Sequence, residues 1–118
     1  MTQEEKDLLS KDLCGRLPYG VICLIHNVNG DDYSRSIIGG DIDLFLHHFI
    51  TLKPYLRPMS SMTEEEYEYY NACAGYGTYE QVMEDILDFL HRKHFDYRGL
   101  IEKGLAIEVT EENNPYKE

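Results

Sequence analysis

The most regular pattern of apolar and polar positions in this chain lies between Thr78 and Arg92. Val82, Met83, Ile86, Phe89 and Leu90 recur at helical spacing, and Gln81, Glu84, Asp85, Asp88 and Arg92 fill the other side. One dry face and one wet face predict a surface helix laid against a core. Thr78-x-x-Gln81 opens it as a capping box. In that box the Thr hydroxyl accepts from the N–H three residues on, and the third residue's side chain reaches back to the Thr N–H. The same phrase is written as Thr2-x-x-Glu5 and Thr63-x-x-Glu66, so three helix starts are predicted. Around Thr63 the signals are fullest. Met62 and Tyr67 have the spacing of a hydrophobic staple, and Glu64, Glu65 and Glu66 fill the first turn, where the helix dipole favours carboxylates. Tyr67, Tyr70 and Ala74 share one face of that helix, and Gly75-Tyr76-Gly77 breaks it. The first helix is expected over about Gln3–Cys14, with Leu8, Leu9 and Leu13 as its stripe, Gly15 at C′ and Pro18 just beyond.

Between the first two helices the pattern turns to strands. Gly20 to Val28 is β-branched and apolar on both faces in its first half, which predicts a strand covered on both sides. Asn29-Gly30-Asp31-Asp32 is a turn, and Tyr33 to Ile38 alternates as a returning strand that Gly39-Gly40 ends. Asp41 to Leu52 carries two patterns. Ile42, Leu44 and Leu46 alternate with acids as in a strand, and Ile42, Phe45, Leu46, Phe49 and Ile50 also fit a helix. A strand over about Ile42–Leu46 is the favoured reading, because the preceding hairpin suggests a meander. Lys53-Pro-Tyr-Leu-Arg-Pro58 is expected to leave regular structure, since each proline restricts its predecessor. Asp96 is expected to cap a short helix through Lys103, closed by Gly104. A strand over Leu105–Val109 and a frayed tail over residues 110–118 would follow. The expected fold is α+β in one domain, residues 1–118. It has an N-terminal helix, a small antiparallel β-meander or partial barrel of three or four strands, and two or three C-terminal helices.

Charge narrows the classes of partner. With 22 acids against 11 bases the formal net charge is −11, which argues for solubility and against direct binding to nucleic acid or an anionic membrane. Basic proteins and divalent cations stay open as partners, as does imitation of a nucleic acid backbone, although the acids are spread over every segment. A homo-oligomer is also open. Cys14, Cys23 and Cys73 are odd in number, far apart and never in a Cys-x-x-Cys pair, the usage of reduced thiols in a cytoplasmic protein. The start is polar and acidic, which does not read as a signal peptide, and no apolar run approaches the length of a membrane helix.

Candidate chemistry is sparse. His91-x-x-His94 has metal-ligand spacing, but no third ligand is dictated, and two histidines ending a helix also complement its dipole. His47-His48 would point to opposite faces of a strand. Cys23 lies in an apolar run that raises a thiol pKa, and Cys14 and Cys73 lie near helix C-termini, the wrong end of the dipole for a nucleophile. Asp31-Asp32 and Asp41-x-Asp43 lack the rest of a calcium-loop pattern. No glycine-rich phosphate loop or nucleophile elbow is present, and no cofactor is expected. Tyrosine is over-used, with ten residues and no Trp. The crowded stretch holding Tyr55, Tyr69 and Tyr76 can pack on a core or present a binding face, with Tyr69 the best exposed candidate.

Three phrases carry a resemblance: Glu4 to Gly20, Lys53 to Glu66 and His94 to Ala106. Together they resemble an uncharacterised family of small proteins from gut bacteria of the Bacteroides type and their prophages. The resemblance implies a bacterial or phage origin and a small β-meander or partial barrel set against C-terminal helices. It brings no activity and no catalytic residue. The reading that follows is a non-catalytic, acidic protein-interaction module with an unknown protein partner. The alternatives are a metal-dependent enzyme at His91 and His94, and a phage-encoded inhibitor or nucleic acid mimic.

Overall fold

A computed structural model of the chain describes residues 1–27, 30–75 and 77–116. Helix α1 (Gln3–Arg16) leads into a hairpin of β1 (Ile22–Asn27) and β2 (Asp32–Ser36). Helix α2 (Gly39–Leu46), strand β3 (Ile50–Pro58), helices α3 (Glu64–Ala74) and α4 (Tyr79–Arg92), and the short strands β4 (Phe95–Asp96) and β5 (Ile107–Glu108) follow. The fold is α+β with a mixed sheet. β1 pairs antiparallel with both β2 and β3, while β4 and β5 run parallel to β3.

All three threonines cap their helices. The hydroxyls of Thr2, Thr63 and Thr78 accept from the N–H groups of Glu5, Glu66 and Gln81 at 3.1, 3.2 and 3.2 Å. Glu5 and Glu66 return the bond, each at 2.9 Å, whereas Gln81 turns forward to Asp85. The first helix overruns its predicted stop. Gly15 stays helical, and a Cβ there would lie 2.9 Å from the His91 ring, so glycine is what lets α4 approach α1. The left-handed position falls at Gly20, φ 69°.

Other expectations give way as well. The segment Ile42–Leu46 is helix, not strand: Ile42 and Phe45, three apart, are buried in the core beside α1 and the sheet. The meander is therefore broken, since α2 separates β2 from a strand that returns beside β1. Lys53 to Pro58 is the heart of β3, the longest strand. The restriction a proline places on its predecessor favours extended backbone, which is what a strand needs. Pro54 also costs no ladder bond. Ile37 donates to Val21, so by alternation Val21, Cys23 and Ile25 turn toward β2, and Pro54, opposite Cys23, turns its nitrogen away from β1. Finally, Asp96 organises a turn without a following helix. Its carboxylate accepts from the Leu100 and Ile101 N–H groups, both at 2.9 Å.

Only one face of the sheet is sealed. Val21, Cys23, Ile25, Ile50, Leu52 and Leu56 point inward against Leu9, Leu13, Ile42, Phe45, Leu100 and Leu105. Ile22 and Leu24 stay half-exposed on the outer face, so the expected cover on both sides of β1 is absent there. A smaller cluster of Phe89, Leu90 and Phe95 lies under α4. Arg16 joins the two. Fully buried, it donates to Asp12 at 2.7 Å and to the Phe95 carbonyl at 2.6 Å, while Arg98 takes the other Asp12 oxygen at 3.0 Å. The tail is not frayed up to Tyr116. The Tyr116 hydroxyl accepts from the Ile22 N–H at 3.0 Å and donates to the Tyr55 carbonyl at 2.8 Å, replacing the last rung between β1 and β3. Among the described residues no helix is long and apolar enough to cross a membrane.

Candidate functional site

The two histidines proposed as metal ligands have different neighbours. His91 is half-buried between α1 and α4, and its Nε2 shares a 2.7 Å hydrogen bond with the Tyr97 hydroxyl. Burial and the Arg16 charge push its pKa down, so at neutral pH it does not complement the helix dipole as a cation. His94 is not in the helix, which ends at Arg92. It occupies the left-handed C′ position, φ 62°, and its ring stacks on Tyr116 with centroids 3.7 Å apart. Helical i, i+3 geometry therefore does not apply to the pair. Among the described residues no group of three or more His, Cys, Asp or Glu is placed to hold a metal ion.

The remaining candidates are held in packing and pairing. Burial pushes the Cys23 thiol up to about 12, far from nucleophilic. Burial opposes the Asp41 charge, but a bidentate Arg35 at 2.7 and 2.9 Å and the Ile38 N–H overcome it and hold the carboxyl below its usual range. His48 bonds to the buried Lys6 ammonium, which also lies over the Phe45 ring.

The predicted tyrosines do not stand together. Tyr69 keeps 48% of its surface exposed, but its ring packs on Phe89 with centroids 5.0 Å apart and under the Arg92 guanidinium, so part of it holds α3 to α4. Tyr55 lies on the outer sheet face, where its hydroxyl meets Ser34 at 3.1 Å. Tyr76 lies outside the described residues.

A different apolar surface is formed where α2 ends. His47 is the C-cap and His48 takes the left-handed position, φ 67°. The His48 N–H reaches the Phe45 carbonyl at 3.2 Å, and the Phe49 N–H reaches Leu44 at 2.9 Å. This is a full Schellman motif, which brings the residues at C3 and C″ together. Here those residues are Leu44 and Phe49, and Phe49 is 62% exposed. With Tyr33, His48 and Ile50 they line a groove of about 980 Å³, rimmed by Asp31. Ile38, 67% exposed, stands apart at the other end of α2 and is not part of the groove lining. Sequence reasoning missed this surface because it depends on a helix that covers 42–46 and then stops. The helix turns Ile42 and Phe45 inward and Leu44 outward, and the reversal at His48 leaves Phe49, which a continued helix would turn inward, outside. No known family, curated protein or solved structure matches the chain.

Proposed function

We propose that the chain is a non-catalytic protein-interaction module of bacterial or prophage origin, working in the cytoplasm. Its binding face is the groove at the end of α2. The observation that supports this is the cluster of large apolar side chains, Tyr33, Leu44 and Phe49, left in water around one concavity. Isolated exposed apolar residues are ordinary, but a contiguous set around a groove is the usual mark of a contact site. The partner presents an apolar anchor to Phe49 and Leu44, with basic residues beside it facing Asp31 and the acid excess of the chain. The dispersed acids serve solubility and encounter, not mimicry of a nucleic acid. The absence of catalysis is supported by the way His91, Cys23 and Asp41 are each taken up in packing or pairing.

Photo-crosslinking from a reporter placed at Gly30, which lines the groove and has open space at its Cβ position, tests the face. The expected result is a single crosslinked protein in the native host, lost in Phe49→Asp and retained in Tyr69→Ala. If Phe49→Asp keeps the product and Tyr69→Ala loses it, the binding face is the tyrosine stretch and the groove is only the seam of a helix cap.

A further inference from the structure

A second concavity, independent of the groove, lies between the end of α4 and the C-terminal segment and measures about 560 Å³. The chain has twice as many acids as bases, yet the charged groups here are Arg57, Arg92 and Lys93 against Glu111 alone. Arg57 is taken: it grips Glu66 at 2.7 and 2.8 Å and also donates to the Ser61 carbonyl. Arg92 is partly engaged: it meets Asp88 at 3.5 Å and lies over the Tyr69 and Phe89 rings. Lys93 is freer, with no ion-pair partner among the described residues.

The polar groups around them are short of acceptors. Thr110 accepts the Asn113 N–H at 3.1 Å and keeps its own hydroxyl proton to give. Asn114 accepts the Tyr116 N–H at 3.0 Å through Oδ1, and its amide protons have no partner among the described residues. His94 has its Nδ1 buried without a hydrogen bond, near the fully buried Arg16, whose Nη1 also lacks a partner. Arg92, Lys93, His94, Thr110 and Asn114 therefore line one cavity, and Glu111 is the carboxylate among them.

We propose that this cavity binds a small tetrahedral oxyanion of the phosphate type. Such an ion offers several acceptor oxygens to a site rich in donors, and bonds from charged donors are the stronger kind. Free inorganic phosphate and the phosphate group of a small monoester share this chemistry.

The test is an amide NMR titration with inorganic phosphate and, in a second arm, glycerol 3-phosphate, at ionic strength held constant with chloride. Saturable shifts are expected at Lys93, His94, Thr110 and Asn114, with affinity in the millimolar range or better. Lys93→Ala, an exposed residue outside both cores, weakens binding tenfold or more, and Glu111→Gln strengthens it several-fold. Burial first, then the charges of Arg16 from α1, Arg57 from β3 and Lys93 after α4, hold His94 at about 4. Tyr116 stacks on the ring, and Glu111 and Arg92 line the same cavity. Bound phosphate raises that midpoint by offsetting the positive charges. Tighter binding of the ester identifies a monoester as the source, and equal binding identifies free phosphate. Shifts that never saturate, or variants that titrate like the wild type, overturn the proposal.

Discussion

The sheet-centred half and the α3–α4 hairpin are held by different physics. In the first, α1 and α2 seal one sheet face, and fourteen residues form a continuous buried cluster among the described residues. In the second, the buried cluster is Phe89, Leu90 and Phe95, and α3 buries no residue at all. Yet α3 has the fuller local specification: both arms of a capping box and three acids in its first turn. α2 has a poor N-cap in Ile38 and a histidine where glycine is usual, and it is well packed. A cap decides where a helix begins; burial decides how firmly it stays. The hairpin is fastened to the sheet at its root, through Arg57–Glu66, Arg16 to the Phe95 carbonyl, and Tyr19 to Asp88. Among the described residues its tip carries none of the buried core.

The largest expected effect falls on the joint between the halves. Arg16→Met leaves the buried Asp12 with Arg98 alone and strips the Phe95 carbonyl of its donor. Removing one member of a buried charged set costs about 3–5 kcal/mol. Urea melts should show this loss, and Asp12→Leu added to Arg16→Met should recover much of it. A wild-type midpoint for Arg16→Met would mean the halves do not depend on this joint.

Thr63→Ala should cost about 1 kcal/mol of helix stability through loss of the cap. If the hairpin opens on its own, the cost falls on amide exchange across α3 and hardly moves the exchange of β1 and β3. Equal acceleration in both halves would show one cooperative unit and erase the distinction drawn above.

Acid should act on the two joints in separate windows. Burial first, then the charges of Arg16, Arg57 and Lys93, lower His94 from 6.5 to about 4. Between those values the unfolded chain binds more protons than the folded one, so stability rises with pH and is lost on descending through the window. Arg57, with the Thr63 N–H, lowers Glu66 from 4.5 to about 2, so its contribution is complete above 4.5 and is lost toward 2. His94→Asn tolerates the left-handed backbone and should flatten the upper slope; Glu66→Gln should flatten the lower one. Urea midpoints measured against pH decide this, and an upper slope unchanged in His94→Asn would mean that other groups carry it.

Much of the candidate site was illegible for a physical reason. Leu44 is apolar in either reading of 41–52, and the choice of period decides whether it faces in or out; Phe49 is outside because the helix stops at Leu46 and the chain reverses at His48. His48 and His94 end their helices in the left-handed conformation that sequence rules assign to glycine or asparagine, so neither stop was marked. The Tyr69 ring was recognised as a surface aromatic, but its stacking on Phe89 joins two helices whose crossing no local pattern encodes.

The sequence by itself determined the three helix starts, the β1–β2 hairpin, the inward face of α4 at Phe89 and Leu90, and the α+β class. Each rests on contacts within a few residues or on a period that survives any packing. Tertiary structure alone decided the rest. It made 42–46 a helix, because Ile42 and Phe45 could be buried together against α1 and the sheet. It carried a strand through Pro54, because that nitrogen faces away from β1. It also drew Tyr116 across the chain to close the ladder between Ile22 and Tyr55, a bond between residues 94 apart in sequence that no local signal could announce.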